Sequence, residues 1–190
     1  MTNRLDRLSD PSESGFQSLF NGYSLVPWRM AGPPGFSVVA GTLETHGGMG
    51  LLWYPERQFR DFVLRLEWIV QRPEDNSGVF LRFPDPGNDP WKAVNHGYEV
   101  QIHDEGRDDQ HTGAIYEVAK PIPYTPKPIG EWNSMEVQVV GQRYVVILNG
   151  DLVNDFTGAG DRGLEGFVGL QNHDDRSRVR FRNIRIKPID

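Results

Sequence analysis

The sequence contains no cysteine, so a disulfide framework, a thiolate zinc site and a thiol nucleophile are all excluded. The fold must rest on packing alone. No apolar run is long enough to cross a bilayer, and the first 14 residues lack the apolar centre of a signal peptide. The chain is therefore expected to insert in no membrane, and to be cytoplasmic or the processed form of an exported protein. A basic patch is missing too: the net charge of -6 argues against nucleic acid as a partner. There is no Gly-x-Ser-x-Gly elbow, His-Glu-x-x-His pair, phosphate loop or dinucleotide fingerprint. No stretch sustains a helical apolar period.

What is present is turn chemistry and alternation. With 21 glycines and 14 prolines in 190 residues, the chain reads as many short elements around one core. Residues 1–14 are polar and are expected to form a loose arm, with a single domain over 15–190. Between 61 and 70, Phe62, Leu64, Leu66 and Trp68 alternate with Val63, Arg65 and Glu67, which predicts a strand with one buried face. The same period of two recurs over 77–83 and 97–103. Apolar runs at 36–40, 42–45, 50–54, 132–140, 143–148, 166–171 and 178–187 complete the set, with hairpin signals at Gly141-Gln142 and Asn149-Gly150. These features predict an all-β fold, a two-sheet antiparallel β-sandwich of the jelly-roll kind. Long loops are expected at 84–96, 104–111 and 121–128, where a rigid sandwich usually shapes a site.

The most informative run is 97–104. Its alternation puts Glu99, Gln101 and His103 on one face, about 7 Å apart, opposite Tyr98, Val100 and Ile102. A carboxyl, an amide and an imidazole in a row suit a sugar ring, although one solvated strand face explains them as well. Asn76, Gly78, Phe80 and Arg82 form a second row, and Gln171 with His173 a third. Glu67 is a second carboxylate that could oppose Glu99, as in glycoside-cleaving enzymes. Tyr116, Trp132, Trp91 and Trp53 are candidate stacking platforms, against a core role for each. His46, His96 and His111 are read as ordinary surface or hydrogen-bonded residues. The acidic loop 104–109 lacks the ligand alternation of an EF-hand and is expected to be solvated.

Several motifs in one order resemble a known family. They are Phe16-Gln17-Ser18-Leu19-Phe20-Asn21-Gly22 with Trp28, Asn76-Ser77-Gly78-Val79-Phe80-Leu81-Arg82, Gly97-Tyr98-Glu99-Val100-Gln101-Ile102 with Asp104, and Thr112-Gly113-Ala114-Ile115-Tyr116. Further on come Glu131-Trp132-Asn133, Leu148-Asn149-Gly150, Gly169-Leu170-Gln171-Asn172-His173 and Phe181-Arg182-Asn183-Ile184-Arg185-Ile186. Together they resemble the 3-keto-disaccharide hydrolase domain family over nearly all the chain from Gly15. The resemblance implies a concanavalin A-like lectin and glucanase architecture, and glycosides oxidised to a ketone at sugar carbon 3 as substrates.

Such a substrate is open to a base at carbon 2, because the ketone acidifies that hydrogen; the enolate then expels the group on carbon 1 and water adds. On this reading Glu99 or His173 is the base, Arg82 or a bound cation holds the enolate oxygen, and Glu67 is a further catalytic carboxylate. Asn76, Gln101, His103, Tyr116, Trp132 and Gln171 would bind the sugar. No cofactor is required, and a divalent cation on Glu99, His103, Asp104 or His173 is the open alternative. The partner is an oxidised di- or oligosaccharide or glycoside, and oligomeric state carries no signal. A non-catalytic carbohydrate-binding module of the same fold is the competing reading.

Overall fold

The structure is a computed structural model that describes residues 13–189. Among the described residues thirteen strands form two antiparallel sheets, as the alternation predicts. The first sheet takes β1 (Gln17–Ser18), β3 (Phe36–Val39), β4 (Thr42–Thr45), β6 (Phe62–Ile69), β9 (Asn133–Val140), β10 (Arg143–Leu148), β11 (Asp151–Thr157) and β13 (Arg180–Pro188). Its order is β11-β10-β9-β6-β13-β4-β3, with β1 beside β13. The second sheet has five strands in the order β2 (Arg29–Ala31), β5 (Gly50–Trp53), β12 (Phe167–Asn172), β7 (Ser77–Phe83) and β8 (Tyr98–Ile102).

The core lies between the sheets and is built from the inward positions of each strand. Phe62, Leu64 and Leu66 of β6 pair in register with Val139, Val137 and Met135 of β9, and all are buried. Tyr144, Val146 and Leu148 continue the layer on β10, while Val79, Leu81, Tyr98, Val100, Leu170 and Leu52 face them from the second sheet. The Asn149-Gly150 signal is a two-residue hairpin with both residues at positive φ, 54° and 94°, which the right-handed twist of the flanking strands favours. No helix among the described residues is long and apolar enough to cross a membrane.

Three features depart from the sequence reading. The predicted loop 84–96 contains a short helix, α1 (Trp91–His96), that lies against β7 and β8. Of the expected arm, residues 1–12 lie outside the described residues; Glu13 is tied to Arg65 and Arg185 by carboxylate contacts of 3.0 and 2.6 Å.

The third departure is Arg82, expected to share a face with Phe80. A register shift between Phe167 and Val168 and a φ of 54° at Arg82 break the alternation of β7. The guanidinium turns inside, where it donates to the Arg60 and Gly141 carbonyls and to Asp61 at 2.7 Å, beside the Tyr144 ring. Buried and fully engaged, it closes one end of the sandwich. Arg82→Met removes the buried donor to two carbonyls and to the Asp61 carboxylate, which keeps the Gly141 amide, and should lower stability by about 3 kcal/mol in denaturant titration.

Candidate active site

The outer face of the five-stranded sheet is divided into two halves. Leu51, Trp53, Phe80 and Phe167 emerge on this face by alternation and Phe83 through the register shift at Arg82, and together they form a second apolar cluster under Ala93 of α1. The other half is polar: Glu99 and Gln101 on β8 and Gln171 on β12, joined at the strand ends by Asn76, His103 and His173. Gly78 pairs in register with Gln101 and lies within the polar half, between β8 and β12. Its missing side chain is what lets Glu99 lie down: a Cβ on Gly78 would stand 1.9 Å from Glu99 Oε1. A glycine inside a strand signals such a close approach.

A chain of amides ties the polar half together. Gln101 Nε2 donates to Asn76 Oδ1 and Asn76 Nδ2 faces His103 Nδ1, each at 3.4 Å. The Asn76 amide is held by Ser177 Oγ at 2.9 Å, and Ser77 Oγ donates to the Gln171 carbonyl at 2.6 Å. Tyr116 reaches the same region, its amide donating to the Glu99 carbonyl at 2.9 Å. Burial raises the Tyr116 phenol, helped by Glu117 and Glu99.

Four buried polar atoms on this one face have no hydrogen-bond partner in the protein: Glu99 Oε1, Gln101 Oε1, Gln171 Oε1 and Trp53 Nε1. An unsatisfied buried polar group costs about 1–3 kcal/mol, so native folds keep few of them and use those they keep. Three acceptors and one donor suit a cluster of hydroxyls, each of which donates and accepts. Burial pushes the Glu99 carboxyl well above the usual carboxylate range, favouring the protonated acid. His103 moves the other way, lowered by burial and then by the charge of His173, which favours the neutral ring.

The face thus brings together Glu99, Gln101, His103, Asn76, Gln171, His173 and Tyr116 of the expected site. It excludes three others. Arg82 is at the closed end described above. Glu67 projects from the outer face of the other sheet and pairs with Arg182 at 2.6 Å, so it cannot oppose Glu99. Trp132 lies under the same guanidinium, 3.9 Å from its ring centre. Glu67→Gln should leave catalysis within about twofold of the parent and change stability by under 1 kcal/mol, read by turnover and thermal melting. Asp104, a candidate cation ligand, accepts the Thr112 hydroxyl at 2.6 Å. Among the described residues no three of His, Asp and Glu gather as a group that could hold a metal ion.

Sequence reasoning missed three contributors: Trp53 as a buried free donor, Gly78 as the bed of Glu99, and Asp174, whose carboxylate faces His173 Nδ1 at 2.9 Å. A separate cleft of about 360 Å³ opens between Lys92, His96, Asp161, Arg162 and Glu165. None of the residues lining it carries an unpartnered buried atom, so the polar half-face is the stronger candidate.

Residues 15–187 match the family of 3-keto-alpha-glucoside-1,2-lyase-like domains. The chain belongs to this family. This 3-keto-alpha-glucoside-1,2-lyase-like domain is 25% identical to a 3-keto-disaccharide hydrolase of Bacteroides thetaiotaomicron, an alignment covering 98% of this chain and 83% of the relative. Its fold is that of a candidate glycosyl hydrolase from Parabacteroides distasonis, with a TM-score of 0.81, 23% identity and coverage of 94% and 96% of the two chains. A carbohydrate-binding module from Bacillus subtilis shares the fold more distantly, with a TM-score of 0.62 at 15% identity over 84% of this chain and 94% of that one. The architecture is the concanavalin A-like sandwich.

Proposed function

We propose that the protein cleaves glycosides bearing a ketone at carbon 3, by elimination across carbons 1 and 2 followed by addition of water. The observation that carries this reading is the pairing on one face of a carboxyl that favours its proton, Glu99, with an imidazole that favours the neutral ring, His103. Such an elimination needs a proton donor for the leaving oxygen and a neutral imidazole N–H for the enolate oxygen, and these two groups meet that need.

His173 takes the hydrogen from carbon 2, and the electron pair moves onto the ketone oxygen. The His103 ring, if its Nδ1 accepts from Asn76, offers Nε2–H to that enolate oxygen, the part expected of Arg82. The enolate collapses, restoring the carbonyl and forming the carbon 1–carbon 2 double bond, while the bond from carbon 1 to the leaving oxygen breaks. Glu99 donates its proton to that oxygen. Its carboxylate then takes a proton from water as the hydroxide adds to carbon 1, and protonated His173, whose half-exposed ring exchanges its proton with solvent, delivers a solvent proton to carbon 2. Both groups end as they began. Gln101 and Gln171 accept from ring hydroxyls, and Tyr116 lies at the rim.

The test is turnover of a 3-keto-glucoside with a chromogenic aglycone in deuterated water. Release of aglycone with one deuterium at carbon 2 of the sugar product supports the proposal. Release without deuterium contradicts elimination, and binding without release assigns the face to a carbohydrate-binding module.

A further inference from the structure

We infer that Asp174 is a positioning residue that fixes the tautomer of His173, leaving Nε2 as the lone-pair nitrogen directed at the substrate. The inference rests on the proposed elimination and deepens it. Asp174 divides its two oxygens between two tasks. Oδ1 accepts the amides of Arg176 at 2.7 Å and Ser177 at 2.8 Å, closing the turn after β12. Oδ2 accepts the Ser177 hydroxyl at 3.0 Å and faces His173 Nδ1 at 2.9 Å. One oxygen serves the fold and the other holds the ring.

The turn is itself joined to the polar face, because Ser177 Oγ also accepts the amide of Asn76, which bonds Gln101 and faces His103. The imidazole is therefore held from the chain segment that positions the rest of the site. Its side chain remains 45% exposed, which leaves the far nitrogen open. Burial works to raise the Asp174 carboxyl, but hydrogen bonds from His173, the Ser177 and Arg176 amides and the Ser177 hydroxyl outweigh it and keep the group ionised. An ionised acceptor at Nδ1 requires the proton there, since two lone pairs facing each other repel. A base with its proton on the wrong nitrogen cannot work, whatever its basicity.

Asp174→Asn separates the two tasks. The asparagine Oδ1 keeps both backbone amides, while Nδ2 replaces Oδ2 and presents a donor to His173 Nδ1. The ring must then accept there and carry its proton on Nε2. The variant should melt within about 3 °C of the parent, a shift of under 1 kcal/mol. It should lose about 10³-fold in kcat with KM changed less than about threefold. Imidazole ¹⁵N shifts in the full-length protein read the tautomer without any substrate: Nδ1–H in the parent, Nε2–H in the variant.

A parent His173 that carries its proton on Nε2 overturns the inference, as does a folded Asp174→Asn with kcat within twofold of the parent. The parent spectrum decides even if the variant does not fold. A parent enzyme that turns over no 3-keto-glucoside overturns the proposed function instead, and the tautomer measurement stands apart from it.

Discussion

Glu99→Gln should lower kcat for a 3-keto-glucoside by about 10²- to 10⁴-fold, the usual contribution of a positioned acid, with the fold intact. Gln has the shape of the protonated acid, so hydroxyl contacts survive and KM should move little. A second readout comes from stability. The folded pKa of Glu99 is raised by burial, so between the unfolded and folded values the native state binds the extra proton. The contribution is complete below the ordinary carboxylate range and is lost as pH rises through the raised value. In that window the parent loses about 1.4 kcal/mol per pH unit from this group, and the variant does not. Denaturant titrations of both proteins at a series of pH values would show the difference; parallel curves would mean that Glu99 ionises normally.

Gly78→Ala should be nearly as damaging to catalysis, though it adds only a methyl group. The new Cβ would meet Glu99 Oε1 at 1.9 Å and its Cδ at 2.7 Å, so the carboxyl must move by more than an ångström. Displacements of that size cost about 10²-fold in rate. Overpacking a filled site costs about 1–3 kcal/mol, and here the strain is concentrated on one side chain. The Glu99→Ala background removes the clash, so Gly78→Ala should cost little stability there. The double-mutant cycle then gives a coupling energy that independent sites would not show. Additive effects would place Glu99 away from Gly78.

Most of the architecture was legible because alternation is a local property. Phe62, Leu64, Leu66 and Trp68 declare the buried face of β6 without reference to any neighbour, and Tyr98, Val100 and Ile102 do so for β8. That local clarity also placed Glu99 and Gln101 correctly on the opposite face. What alternation does not contain is which sheet a strand joins. Glu67 is as polar and outward as Glu99, but a sandwich has two outer faces, and β6 belongs to the other one.

Arg82 failed for a different reason. The period of two holds only while the ladder is regular, and a register shift beside it sends the side chain inside. Trp132 looked available for sugar stacking because its partner, Arg182, is 50 positions away in the chain and arrives only through pairing of β13. Helix α1 is six residues long, too short for a helical period to stand out among prolines and glycines. Asp174 left a faint local sign: a carboxylate followed three residues on by Ser177 often closes a turn. Its contact with His173 needed coordinates.

Sugar should bind over Gly78, where the protein leaves acceptors unpaired. A crystal structure of Glu99→Gln soaked with an intact 3-keto-glucoside tests this most directly. The ring should lie across Gly78, with hydroxyls donated to Gln101 Oε1 and Gln171 Oε1 and carbon 2 facing His173 Nε2. A sugar found instead in the cleft beside Asp161 and Arg162, or on the outer face of the eight-stranded sheet, would contradict it.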